Sequence, residues 1–447
     1  MSLSLESKIE SVHRDAVWNR LPRWLSVAIL LIAAPTASAN LDPILTRQYF
    51  QEADALCRKD DGRLWGVSLC GPMLFVDPAS HTAVANQADR EGHLAPTDGV
   101  FQGNLPQSVN VSNTAVEWAG VKWTMIAWPL PADSGERGVL MAHELWHRIQ
   151  SDLGLPMSNP SNAHLDTMEG RIWLQLEWRA LEKALQSQPD SRRAEQDALI
   201  FRDYRRQLFA GAAGEEGALE LNEGLAEYTG FRLDNSSTDA EVTAAIKRLE
   251  QGPGFSSFVR SFAYVSGPAY GILLDEAATG WRKNLKPGDD LGNILAKVIA
   301  FQPPKDLKAA AFENAKRYGG DELRAAESAR RARRQKTMNE YRARLVDGPV
   351  LAIPLRKMNV QFNPTTLIPL GDLGTVYPTL RITDEWGILT VSKGALLAAD
   401  WTKVTVSAPT QIGPGKPEGV GWRLKLNQGW TAVLSKRKGD LTLQRKE

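Results

Sequence analysis

The segment His143-Glu144-Leu145-Trp146-His147 carries the residue types that metal-dependent hydrolysis needs, at a spacing that lets them act together. Residues four apart on a helix lie one turn apart on the same face, so both imidazoles can point at one ion. Glu144 directly follows the first histidine, which places its carboxylate to take a proton from water at that ion rather than to bind the ion itself. The preceding run Gly138-Val139-Leu140-Met141-Ala142 is apolar and suits a helix buried in a cleft wall. The expected cofactor is Zn2+.

Such a site needs a third protein ligand. Residues Leu221 to Tyr228 read as helix apart from Gly224, with Glu223 and Glu227 on one face, a turn apart. Two carboxylates on an apolar stretch are costly to bury without partners. A metal ion for Glu223 and a ligand imidazole for Glu227 satisfy both, the latter as the outer carboxylate that fixes a histidine's tautomer. Asp166 and Glu169 lie nearer to His147 in the chain and are the alternative third ligands.

With these residues the chain resembles the gluzincin metallopeptidases, the zincins whose HExxH helix is completed by a downstream glutamate. His143-Glu144-x-x-His147 matches the first motif, and Asn222-Glu223-Gly224 looks like the third-ligand motif of the aminopeptidase-type members. The resemblance implies zinc held by His143, His147 and Glu223, with Glu144 as general base and a peptide or protein as substrate. Tyr264-Val265-Ser266-Gly267 is similar to the Y-x-x-G context of a tyrosine that supports the oxyanion, a role suited to a phenol hydroxyl. A core tyrosine is the competing reading of Tyr264, and Tyr270 is the substitute donor. Two features depart from the family. Glu223 follows His147 by 76 positions, much further than in the best-known members, and two amphipathic helices fill the gap as an inserted hairpin. The Gly-x-Met-Glu-Asn sequence with which aminopeptidases hold a substrate's amino group is missing, which weakens an exopeptidase assignment. The resemblance covers three short motifs within residues 137–270.

The elements around these motifs point to an α+β protein: a zincin-like catalytic domain with N-terminal strands and a mainly helical body, followed by a small all-β domain. Residues from Leu41 to Arg58 read as helix, and Leu64–Leu69, Met73–Val76 and Val121–Trp128 as strands. Val121–Trp128, just before the HExxH helix, is the expected edge for pairing with extended substrate. Ile172, Leu174, Trp178, Leu181 and Leu185 mark one amphipathic helix, and Ala194, Ala198, Phe201 and Leu208 the next. After Asp347-Gly348-Pro349 the sequence alternates like strands. The expected domains are a signal peptide over 1–39, an N-terminal α/β part over 40–136, the helical catalytic region over 137–346 and the β domain over 347–447.

The 447 residues are 43% hydrophobic and 23% charged, with a formal net charge of +1. That balance does not point to nucleic acid as a partner, and the basic run Arg330-Arg331-Ala332-Arg333-Arg334 reads as a solvated helix face. Arg20 and Arg23, the apolar run Trp24–Ala34 and then Ala37-Ser38-Ala39 have the layout of a secretory signal cleaved before Asn40. An uncleaved anchor is the alternative; cleavage makes the protein secreted or periplasmic, with no later membrane span. Cys57 and Cys70, thirteen positions apart, are either a disulfide or two buried thiols. Of fourteen tryptophans, Trp386, Trp401, Trp422 and Trp430 fall in the β domain. They suit either glycan stacking or a core. A pseudoenzyme or envelope-associated binding protein with structural zinc is the rival function.

Overall fold

The computed structural model describes residues 41–186, 189–235, 237–362, 366–411 and 416–445. The expected signal peptide lies outside them. The protein is mixed α+β, with a helical body and C-terminal strands, and divides into two compact units between Glu327 and Ser328.

The first unit opens with helix α1 (Pro43–Asp60), started by Asp42, whose side chain accepts from the Ile44 N–H, with proline at the first helical position. Six strands come next: β1 (Met73–Val76), β2 (Thr82–Ala85), β3 (Ala95–Thr97), β4 (Val100–Asn104), β5 (Thr114–Trp118) and β6 (Val121–Ala127). Their order in the sheet is β3-β4-β2-β1-β6-β5, with β1 and β6 parallel and the other pairs antiparallel. Alternation along β1 sends Leu74 and Val76 to one core and Met73 and Phe75 to the other. Phe75 there stacks on Phe50 of α1, with ring centroids 4.3 Å apart.

Two expectations fail in this region. Leu64–Leu69 forms turns, not a strand; Gly62 and Gly66 both have positive φ and bend the chain there. The strand before the HExxH helix, β6, is internal, held between β1 and β5. The edge is β5, joined to β6 by a tight turn whose Ala119 and Gly120 both have positive φ, the backbone a two-residue hairpin requires.

The helices are α2 (Ser134–Gln150), α3 (Met168–Leu185), α4 (Ser191–Leu208), α5 (Ala212–Leu219), α6 (Leu225–Asp234), α7 (Thr238–Gln251), α8 (Ser261–Ala277), α9 (Leu291–Val298), α10 (Leu307–Ala315) and α11 (Gly320–Arg342). Asp133 caps α2 by accepting from the Glu136 N–H at 2.9 Å. Met141, Ala142, Leu145, Trp146 and Ile149 then bury one face of α2 in the main core. Helices α3 and α4 pack along each other, with Trp173 set edge-on to Tyr204 at 4.6 Å, and they form the hairpin that separates the two motif helices. Leu208, expected on the apolar face of α4, is exposed, whereas Arg202 and Arg205 are buried. A disulfide joins Cys57 at the end of α1 to Cys70. No helix among the described residues is long and apolar enough to cross a membrane.

The second unit begins within α11, where Arg331, Arg333 and Arg334 are exposed as expected. Its strands start at Val350 and form sheets of seven and five strands. Leu351 and Ile353 of the larger sheet share a core with Ile382 and Leu389 of the smaller, as in a β-sandwich. Leu380–Asp384 alternates buried and exposed along its length. Trp386 and Trp422 lie in that core, so their bulk serves packing rather than a glycan surface.

Candidate metal centre

Helix α2 aims His143, Glu144 and His147 toward α6 and the turn before it. All three are buried, as is Glu223. One π turn, Glu220–Gly224, joins α5 to α6. In an unbroken α-helix Glu216, Glu220, Glu223 and Glu227 would form a single stripe. A π turn holds one extra residue, which rotates the next stretch of helix by roughly 100°. Glu216 and Glu220 therefore face α4, while Glu223 and Glu227 face α2.

The geometry at α2 is convergent. His143 Nε2 and His147 Nε2 are 3.1 Å apart, and Glu223 Oε2 lies 3.5 Å from the first and 3.7 Å from the second. These three form a group able to hold a metal ion. Glu227 Oε2 is 3.0 Å from His143 Nδ1, and Gln150 Oε1 is 2.9 Å from His147 Nδ1. In the neutral imidazoles that bind a metal, with each Nδ1–H donated to oxygen, both Nε2 lone pairs face each other and the Glu223 carboxylate. Three acceptors closing on one point call for a cation, so the donor set fits a metal. Burial disfavours charge on His143, but its hydrogen bonds to Glu223 and Glu227 outweigh that and push its imidazole up to about 10 in the metal-free protein.

The outer partners are equally specific. Gln150 Nε2 donates to Asn222 Oδ1 at 2.9 Å, Asn222 Nδ2 to Glu223 Oε1 at 3.1 Å, and Arg260 Nη2 to the same oxygen at 2.7 Å. Oε1 is thus taken, and Oε2 is turned to the histidines. Arg248 Nη2 holds the other oxygen of Glu227 at 2.9 Å. Glu144 stands apart: its Oε2 is buried with no hydrogen-bond partner among the described residues. Burial raises its carboxyl above the ordinary range, against the pull of His143 and His147.

Tyr264 of α8 donates to Glu223 Oε2 and its ring lies parallel to that of His143, centroids 5.4 Å apart. Two glycines make this approach fit. A Cβ on Gly267 would sit 2.3 Å from Gly224 Cα, so the Asn-Glu-Gly and Tyr-x-x-Gly segments meet backbone to backbone through the residues that lack one.

The structure brings together His143, Glu144, His147, Glu223, Glu227 and Tyr264, and separates the alternatives from them. Asp166 accepts from Ser257 Oγ and the Phe258 N–H, and Glu169 from Trp173 Nε1 and Arg324. Tyr270 is no substitute for Tyr264: it donates to Glu177 at 2.7 Å, deep in the helical core. Sequence reasoning missed Gln150, although its place three residues after His147 puts it on the ligand face. Arg248 comes from α7 and Arg260 from the turn before α8, and neither carries a motif signal.

A second buried ionic cluster adjoins the first along the chain. Arg202 pairs with Glu177, Glu220 and Asp290; Arg205 with Glu177 and Glu216; Arg206 with Glu216 and Asp290. His164 Nε2 adds a contact to Glu216 at 2.8 Å. This cluster ties α3, α4 and α9 to the turn that presents Glu223. Comparison with protein families, with curated proteins and with solved structures finds no match to this chain.

Proposed function

We propose that the protein is a zinc-dependent peptidase of gluzincin type, with His143, His147 and Glu223 holding the metal. The observation that carries the reading is Glu144: a buried carboxylate with an oxygen that has no partner among the described residues, next in sequence to the first of two converging imidazoles. A purely structural metal site has no use for such a group, whereas a hydrolytic site needs a base. Zinc when bound supplies Lewis-acid activation of water and of a peptide carbonyl. Glu144 takes the proton from the attacking water and delivers it to the departing amine. Its pKa, raised by burial, suits a group that must both accept and return a proton. Tyr264, whose hydroxyl rests on Glu223 here, donates to the developing oxyanion. Glu227 and Gln150 keep both imidazoles oriented with Nε2 free.

The open edge of β5, beside α2, is where an extended substrate backbone would pair. Secretion or periplasmic location belongs to the same reading, supported by the Cys57–Cys70 disulfide. The test is zinc content of the purified protein and of Glu223→Ala, Glu169→Ala and Asp166→Ala variants. The expected result is about one zinc per chain, lost in Glu223→Ala alone. No zinc in the unmutated protein after reconstitution would overturn the proposal.

A further inference from the structure

The near-zero net charge of the chain hides a division. Residues 328–447 hold 20 of the 53 Lys and Arg but only 9 of the 52 Asp and Glu, and residues 1–327 are correspondingly acidic. Ser328 also begins the second compact unit, so that unit is basic as a folded body. The fold gathers part of its charge on one face. The seven-stranded sheet is covered on both sides: it shares a core with the five-stranded sheet, and on its other side Leu345 and Val346 pack with Val376 and Leu396. The five-stranded sheet turns Ile382, Leu389 and Leu424 into the shared core, and alternation sends the next residues of the same strands outward. Across that outer side Arg423 lies opposite Thr390, Thr390 opposite Arg381, and Arg381 opposite Gln361. All four are exposed. The adjoining row holds Lys425, Thr383 and Asn359, also exposed, and the half-buried Ile388. Strand spacing sets Arg381 and Arg423 about 10 Å apart, with Lys425 about 7 Å along the strand from Arg423. Lys393, whose side chain lies against Gly421, extends the basic band past the end of that strand. Glu418 is the acid in register with Arg423, at 3.8 Å, and so exposed a pair binds weakly. Among the described residues Arg381 and Lys425 pair with no carboxylate.

From this face we infer that the second unit docks on a linear acidic polysaccharide laid across the outer side of the five-stranded sheet. The inference is independent of the metal centre and of the peptidase reading. Charge asymmetry of this size between two parts of one chain points to a polyanionic partner for the basic part. Guanidinium and ammonium groups give charge-assisted hydrogen bonds to carboxylate or sulfate. The hydroxyls and amides set between them both donate and accept, as contact with sugar hydroxyls requires. Trp386 and Trp422 are buried, so the contact is made by charge and hydrogen bonds, not by ring stacking. That composition disfavours two other polyanions. A bilayer surface is held by apolar side chains that insert into it, and Ile388, the apolar residue in these rows, is half-buried. Single-stranded nucleic acid stacks its bases on exposed aromatic rings, and these two rows carry none. Arg331, Arg333, Arg334 and Lys336 of α11 are exposed in the same unit. They strengthen the field that draws a polyanion in, without belonging to the face.

The experiment measures binding of the full chain to polygalacturonate and to dextran sulfate, with unsubstituted dextran as the neutral control. Anionic phospholipid vesicles and duplex DNA, matched in charge concentration, are the competing surfaces. Binding to one or both acidic polymers and none to dextran is expected. Its affinity should fall at least about tenfold between about 50 and 200 mM salt, as counterion release at three contacts requires. Arg381→Ser, Arg423→Ser and Lys425→Ser together should weaken binding at least about tenfold. Arg331→Ser, Arg333→Ser and Arg334→Ser together remove the same charge from α11 and should weaken it less than about threefold. Melting temperatures are taken for both variants, and Arg381→Glu alone repeats the test with a single change to the sheet. No binding to either acidic polymer at low salt, tighter binding to the vesicles or to DNA, or equal losses in the two triple variants would overturn the inference.

Discussion

Two clusters of buried charge sit at either end of one helical run, and they are built on opposite plans. At Glu216 and Glu220 every carboxylate of the cluster has an arginine: four acids meet Arg202, Arg205 and Arg206 in overlapping pairs. At Glu223 and Glu227 each acid has one arginine too, Arg260 and Arg248, but its other oxygen meets imidazoles whose Nε2 atoms point at each other, and Glu144 beside them has an oxygen with no partner among the described residues. Burial alone therefore does not mark a functional site. The first cluster pairs each of its carboxylates with the protein's own guanidinium groups, as a structural clamp does. The second adds a converging group able to hold a metal ion and a carboxylate oxygen with no hydrogen-bond partner among the described residues. Because the same run of residues serves both, the clamp also fixes the turn that presents Glu223.

The sharpest way to break this contrast is through Glu144. Glu144→Gln keeps the shape and removes the base, so kcat should fall by about 10²- to 10⁴-fold with zinc content unchanged. Activity retained within a few-fold would mean that Glu144 is packing, and the two clusters would differ less than their geometry implies. Next in size is the clamp. Arg202→Met leaves Glu220 and part of Asp290 uncompensated, and breaking a buried pair from one side costs about 3–5 kcal/mol. Denaturant titration of the metal-free protein should show that loss, and His143→Ala in the same assay should cost much less. Equal losses would make both clusters structural.

The convergence of the site residues was legible in the sequence because each motif residue is both chemically distinctive and fixed in spacing. His143, Glu144 and His147 need only a helix to converge, and Asn222-Glu223-Gly224 and Tyr264-x-x-Gly267 carry in their glycines the close contact that joins them. The hairpin of α3 and α4 was legible as periodicity. What could not be read is where the stripe of Glu216, Glu220, Glu223 and Glu227 divides, since a π turn leaves no compositional mark. Nor could the burial of Arg202 and Arg205 be read: charged residues are normally solvated, and only partners from α3, α5 and α9 reverse that. The open edge was misplaced by one strand for a similar reason. Strand order depends on which hairpins pair across the sheet, and β6 gains its second neighbour, β1, from a distant part of the chain.

The smallest expected effect separates the clusters by pH. Burial opposes ionisation of Asp290, but Arg202 and Arg206 overcome it and hold the carboxyl well below the ordinary range. Arg205 and Arg206 do the same for Glu216. A carboxylate depressed on folding contributes stability that is complete above its unfolded value, about 4, and is lost as pH falls toward the folded one. Glu220 works in the opposite sense, because burial outweighs Arg202 and raises it, so it offsets part of the loss. The net expectation is a metal-free protein that holds its stability from pH 7 to about 5 and loses it progressively below about 4, at about 1.4 kcal/mol for each tenfold change in one group's acidity. Asp290→Asn removes the most exposed of the four acids from the titration and should flatten that profile while lowering stability at pH 7. A profile equally steep in Asp290→Asn would place the acid sensitivity outside the arginine cluster, and the reading of that cluster as an arginine-paired clamp would lose its support.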